Sequence, residues 1–165
     1  MRALFIGFFA FCATSNANAD WQYTKWGMSI QQVLDASKGL ARELSGKEKE
    51  GKSNRNFFIT FAIAPYATGD FTFDVHFRSK PGRAVLDEVY LESLEPGRYQ
   101  DILLSLTTKY GNSPNLSAVD NGAMGSSQTT TWTTKEESIS LKRRTSIIGV
   151  GVSITYAPKL SGAGL

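Results

Sequence analysis

A chain of 165 residues with 18 basic and 15 acidic side chains carries a net charge of only +3, spread along its length, which argues against nucleic-acid binding. One cysteine and one histidine exclude a thiolate metal site and a disulfide framework, so no metal or cofactor is expected. The length is that of one domain able to bury a core of its own.

The chain opens with Met1-Arg2, an apolar run from Ala3 to Ala13, and the small-x-small pattern Ala17-Asn18-Ala19 ahead of Asp20. These features predict a cleaved export signal over 1–19, cut between Ala19 and Asp20. Cys12 leaves with the signal. Phe11, where a lipidation signal needs a small residue, argues against a lipoprotein. The expected product is a cysteine-free periplasmic chain, with one domain over 20–157 and a flexible tail over 158–165. No later run offers the ~20 apolar residues of a transmembrane segment.

Ser29 and Gln32 have the spacing of a capping box, and Ile30, Val33 and Leu34 recur on one helical face behind them. Trp26, just before the cap, is expected to be a buried anchor. The helix ends at Lys38, ahead of Gly39, or continues to Leu44. The polar stretch over 46–56, bounded by glycines, reads as a solvated loop.

Period-two alternation then begins. Phe57, Ile59, Phe61 and Ile63 share one face of a first strand; Phe71, Phe73, Val75 and Phe77 share one face of a second. A third turns Val85, Val89 and Leu91 inward and Glu88, Tyr90 and Glu92 outward. After Pro96-Gly97 a second helix carries Tyr99, Ile102, Leu103, Leu106 and Tyr110 on one face, closed by Gly111 and Pro114. The Gly/Ser/Asn-rich stretch over 115–127 reads as irregular. Three more strands follow, over 128–134, 138–143 and 147–156, the last with Ile148, Val150, Val152, Ile154 and Tyr156. The expected fold is α+β: a two-layer sandwich with one mainly antiparallel sheet of about six strands and two helices on one face, in a tandem α-β-β-β order.

Chemistry is sparse. His76 lies between Asp74 and Arg78 on the polar side of its strand and reads as a surface histidine. No Gly-x-Ser-x-Gly elbow accompanies it. Gly149-Val150-Gly151 lacks a following helix and reads as a bulge or a crowded spot, and Lys142-Arg143-Arg144 as a solvated turn at a strand end. The candidate binding face is Thr72, Asp74, His76 and Arg78 with Glu88 and Tyr90. Trp21, Tyr23, Phe58, Tyr66 and Tyr90 either form an aromatic patch on the sheet face away from the helices, or the segment Trp21-Gln22-Tyr23 folds over that face.

Three functions are compatible with these residues. The favoured one is a non-enzymatic interaction module that binds a protein or cell-envelope component. The alternative is a small periplasmic hydrolase or glycan-acting enzyme using the Asp74/His76/Glu88 face. A third is a carrier of a small apolar ligand between sheet and helices.

Gly27-Met28-Ser29-x-x-x-Val33 is similar to the helix-opening motif of small bacterial envelope proteins of the SmpA/OmlA type. Lys109-Tyr110-Gly111-Asn112-Ser113-Pro114 resembles the helix exit of periplasmic relatives of that kind. The resemblance implies the αβ-sandwich shared with β-lactamase inhibitor proteins, and protein–protein interaction rather than catalysis. Two features depart from it: there is no lipidation cysteine at a processed N-terminus, and no Gly-x-Pro closes the first helix.

Overall fold

The computed structural model describes residues 21–52, 57–112, 115–120, 122 and 125–159. The expected cleavage site at Ala19 and Asp20, part of the polar stretch (53–56) and most of the expected tail (160–165) lie outside the described residues. In chain order the elements are α1 (Ile30–Ala36), β1 (Arg42–Glu43), α2 (Gly46–Lys52), β2 (Ile59–Thr68), β3 (Phe71–Ser79), β4 (Glu88–Ser93), a 3-10 turn (Pro96–Arg98), α3 (Tyr99–Tyr110), β5 (Asn115–Asp120), β6 (Ser126–Thr133), β7 (Glu137–Ser146) and β8 (Gly149–Pro158). The fold is α+β. One open antiparallel sheet runs β1-β2-β3-β4-β8-β7-β6-β5, so among the described residues it has eight strands rather than six, with three helices rather than two.

The cap forms as its residues dictate. The Gln32 amide donates to Ser29 Oγ (3.3 Å), and the Gln32 side-chain carbonyl accepts from the Ser29 amide (2.8 Å). Just ahead of it Gly27, at φ +84°, donates to the Leu86 carbonyl, and Leu86 donates back to Met28, which ties the helix start to the loop before β4. Trp26 is only half-buried. The buried indole is that of Trp21, which meets Tyr66 and Phe77 edge-on at 5.2 and 5.9 Å. The segment from Trp21 therefore packs on the inward side of the sheet, not across the open one. α1 stops at Ala36, ahead of both expected ends, because Lys38 and Gly39 take positive φ.

The polar stretch after Leu44 is partly helical. The Ser45 amide donates to the Glu48 carboxylate (3.0 Å), and Arg42 adds two bonds to that same carboxylate (3.2 and 2.9 Å). Arg42 first, and Ser45 second, hold the Glu48 carboxyl down at about 2. A second capping-box spacing, Ser45-x-x-Glu48, thus starts α2.

Phe73, Val75 and Phe77 of β3, Val89 and Leu91 of β4, and Val152, Ile154 and Tyr156 of β8 are buried as their alternation requires. Val33 of α1 and Tyr99, Ile102 and Leu106 of α3 join the same cluster. In β2 a register shift between Thr60 and Ala62 breaks the expected period. Ala62 and Ala64 then pair beside Phe77 and Val75, while Ile63 lies opposite His76 on the outer face. The two antiparallel runs of strands meet where β4 pairs with β8, from Val89↔Tyr156 to Glu92↔Ser153.

Candidate functional site

The register gathers most of the predicted face. Across β3 and β4, Arg78 lies opposite Glu88, His76 opposite Tyr90, and Asp74 opposite Glu92. Across β8 and β7 the rows continue through Thr155 to Ser140 and through Ser153 to Lys142. Thr72 is exposed, and its register partner is Ala67 in β2. Asp74, His76, Arg78, Glu88 and Tyr90 therefore share one patch of the outer face, with Thr72 at its end.

Two of these residues are not where alternation alone puts them. His76 is 3% exposed, so it is no surface histidine, and Glu88 is buried as well. Long side chains lie flat along the sheet here. The Arg78 guanidinium rests 3.7 Å above the Tyr90 ring centroid and pairs with Glu88 at 3.2 Å. The His76 ring stands edge-on to Tyr90 with centroids 5.5 Å apart, and its Nε2 is 3.6 Å from the Glu92 carboxylate. Arg78 thus engages Glu88 while Glu92 serves His76. The arrangement is a packed polar cluster held on a rigid sheet, with Tyr90 at its centre. Among the described residues, no group of three or more His, Cys, Asp or Glu side chains is placed to hold a metal ion.

Burial pushes the Glu88 carboxyl above its ordinary value, with Arg78 acting in the opposite, weaker sense. A carboxyl that holds its proton more tightly when folded contributes stability that is complete below its unfolded pKa and is lost as the pH rises through its folded one. Glu88→Gln should therefore gain in thermal midpoint on the unaltered protein as the pH rises from about 4 towards 7. A gain in the opposite direction, read by calorimetry across that range, would show that Arg78 outweighs burial.

Beside this cluster runs a groove of about 520 Å³, with Phe57 and Phe58 along one part of its wall and Ile148 and Val150 along another. Lys142 and Arg144 line it together with Glu88 and Glu92, so both signs of charge are present. The basic triplet is not a turn, because β7 continues to Ser146 and sends Lys142 and Arg144 to the same face. The turn is Ile147-Ile148, which the alternating pattern had assigned to a strand. These two isoleucines are 91% and 94% exposed. Gly149 follows at φ +129°, and neither it nor Gly151 is crowded, so the pair marks the end of a hairpin. The sequence signal was present in Gly149, the residue that permits so tight a return.

The inward side holds a second cavity, of about 430 Å³, between α3 and the sheet. Trp21, Tyr66 and Phe73 supply aromatic walls, and Leu91, Ile102 and Ile154 an apolar surface. The Tyr66 hydroxyl accepts from the Gln22 side-chain amide at 2.9 Å. Burial pushes the Tyr156 phenol far above its usual range; its hydrogen-bond contact with Tyr110 and the nearby Glu137 carboxylate and Tyr66 hydroxyl add to the rise. None of the described helices is long and apolar enough to cross a membrane. Compared with family models, curated proteins and solved structures, the chain matches none of them.

Proposed function

We propose that the chain is an exported, periplasmic and non-enzymatic interaction module of the SmpA/OmlA-like kind, which binds a protein or cell-envelope component on its outer sheet face. The observation that carries this reading is the hairpin end: Ile147 and Ile148 stand almost wholly in solvent beside the groove of mixed charge. Two adjacent large apolar side chains left in water lose the free energy of burial, and a partner surface restores it. Lys142, Arg144 and Glu92 at the groove give such a contact its polar surround. Helix-then-strands order occurs twice along the chain, α2 followed by three strands and α3 by four, which supports a two-layer plan built from two such runs. The hydrolase alternative has less behind it, since His76 is enclosed and Glu88 is engaged by Arg78.

A photo-crosslinking residue at Ile148, introduced in the native cell, should yield a discrete adduct that Ile147→Asp abolishes. The same residue at Leu104, exposed on α3, should yield none. Mass spectrometry of the adduct should find this chain beginning at Asp20. Adducts formed from Leu104 alone, or from neither position, would reject the outer face, and a retained Cys12 would reject the compartment.

A further inference from the structure

We propose that the tip of the β7–β8 hairpin docks on an anionic phospholipid surface, with Ile147 and Ile148 entering the acyl boundary and Lys142 and Arg144 meeting the phosphates. The inference rests on the outer-face reading above and names the partner of that same site.

The tip is convex and apolar. β7 and β8 pair up to Ser146↔Gly149, and Ser146 Oγ donates to the Gly149 carbonyl at 3.3 Å, so the strands hold Ile147 and Ile148 out as a tight turn. Exposures of 91% and 94% leave both side chains in water, and Val150 adds a third exposed aliphatic group behind them. A protein partner would need a socket shaped to such a projection, whereas a fluid acyl layer closes around it.

Charge gives the class of surface. Lys142, Arg143 and Arg144 come just before the turn, and no acidic residue occurs from 138 to 158. Alternation puts Lys142 and Arg144 on one face of the hairpin and Arg143 on the other. Among the described residues, none of these three is in an ion pair. By register, Glu92 stands in the row of Lys142 and Asp120 in the row of Thr145. Each is two strands from β7, about 10 Å away, where salt screens exposed charges.

Lys142 and Arg144 also line, with Ser126 and Ser127, a hollow of about 390 Å³ whose wall Ile147 and Ile148 complete. Two cations and two hydroxyl donors beside an apolar tip suit a phosphodiester headgroup whose chains lie beyond it. The spacing agrees. Ile147 lies three residues past Arg144, about 10 Å along an extended strand. Interfacial apolar groups sit roughly 5–10 Å into the headgroup boundary, so Arg144 is level with the phosphates when the tip is seated.

Flotation of the purified protein with vesicles tests this, using mixed phosphatidylethanolamine and phosphatidylglycerol against phosphatidylcholine alone. Binding is expected to the first and about ten-fold or more weaker to the second. Lys142→Gln with Arg144→Gln should weaken it about twenty-fold, since each basic side chain near an anionic surface contributes about five-fold. Ile147→Ser with Ile148→Ser should weaken it about ten-fold or more. Leu104→Ser, exposed on α3, should bind as the unaltered protein does. Thermal midpoints, expected to stay nearly unchanged in all three variants, keep loss of binding apart from loss of fold. Equal binding to both vesicles, or binding that survives either double substitution, overturns the proposal. A protein adduct from Ile148 in the cell without any vesicle binding also overturns it, and leaves the outer-face reading standing. With neither adduct nor vesicle binding, both fall.

Discussion

Trp132→Ala is expected to lower the free energy of unfolding by roughly 3–5 kcal/mol, the range for emptying a large aromatic site in a core. Trp132 is 2% exposed, and its indole Nε1 donates to the Gly111 carbonyl at 2.8 Å. Its cross-strand neighbour is Ile139, which in turn pairs with Tyr156. Gly111 caps α3, donating to Thr107, so this one side chain joins β6 to the end of the helix. Trp132→Phe should cost less than the alanine change, because much of the apolar volume stays and the loss is chiefly the Gly111 bond. That bond is worth about 1–3 kcal/mol when the carbonyl is left unmet. Trp26→Ala, at a half-buried site, should cost less than Trp132→Ala. Urea unfolding of the three variants gives the order, and a larger loss at Trp26 would mean that the entry to α1, not the β6–α3 contact, anchors the core.

Gly125→Ala is expected to be the most damaging of the glycine substitutions. The residue sits at φ +103°, a backbone region that costs an L side chain about 1–3 kcal/mol. An added Cβ would also run into the Thr145 carbonyl oxygen, with the Ser146 Cα 2.9 Å away. Both obstacles are backbone atoms of β7, which cannot swing aside as a side chain can. Relief requires parting the start of β6 from β7, where Ser126 pairs with Thr145. Gly82→Ala is the control, since Gly82 also has positive φ but open space around it. Equal losses at the two sites would show that backbone angle alone matters and that the close approach to Thr145 does not.

What the sequence made legible was local. Ser29, Gln32 and the apolar spacing behind them specify the start of α1, and the alternation from Phe71 to Phe77 specifies β3, because neighbouring residues carry the whole signal. α2 was also written locally, in Ser45 and Glu48, but the glycines and charges around them suggested a loop. β5 gives no periodic signal at all: every residue from Asn115 to Asp120 is exposed, and only pairing with β6 makes it a strand. The candidate face was legible as a set, since period two places Asp74, His76 and Arg78 together. The burial of His76 and Glu88 was not, because the neighbours of each, Tyr90 beside His76 and Arg78 on Glu88, come from the adjacent strand, and alternation does not encode contacts between strands. Nor does composition reveal the cavity beside α3, which draws its lining from elements as far apart as Trp21 and Tyr156.

The position of β8 has a consequence for how the chain is completed. β4 has β3 on one side and β8 on the other, and β8 is the last strand in the described chain. A polypeptide delivered from its N-terminus therefore holds out the backbone edge of Val89 and Leu91 until residues 153–156 arrive. Closing that seam fixes a loop of some sixty residues, an entropic toll met before any of its contacts form. The strands β2 to β4 are thus an unfinished sheet while those sixty residues are being made, with a sticky margin that any holding factor would be obliged to cover.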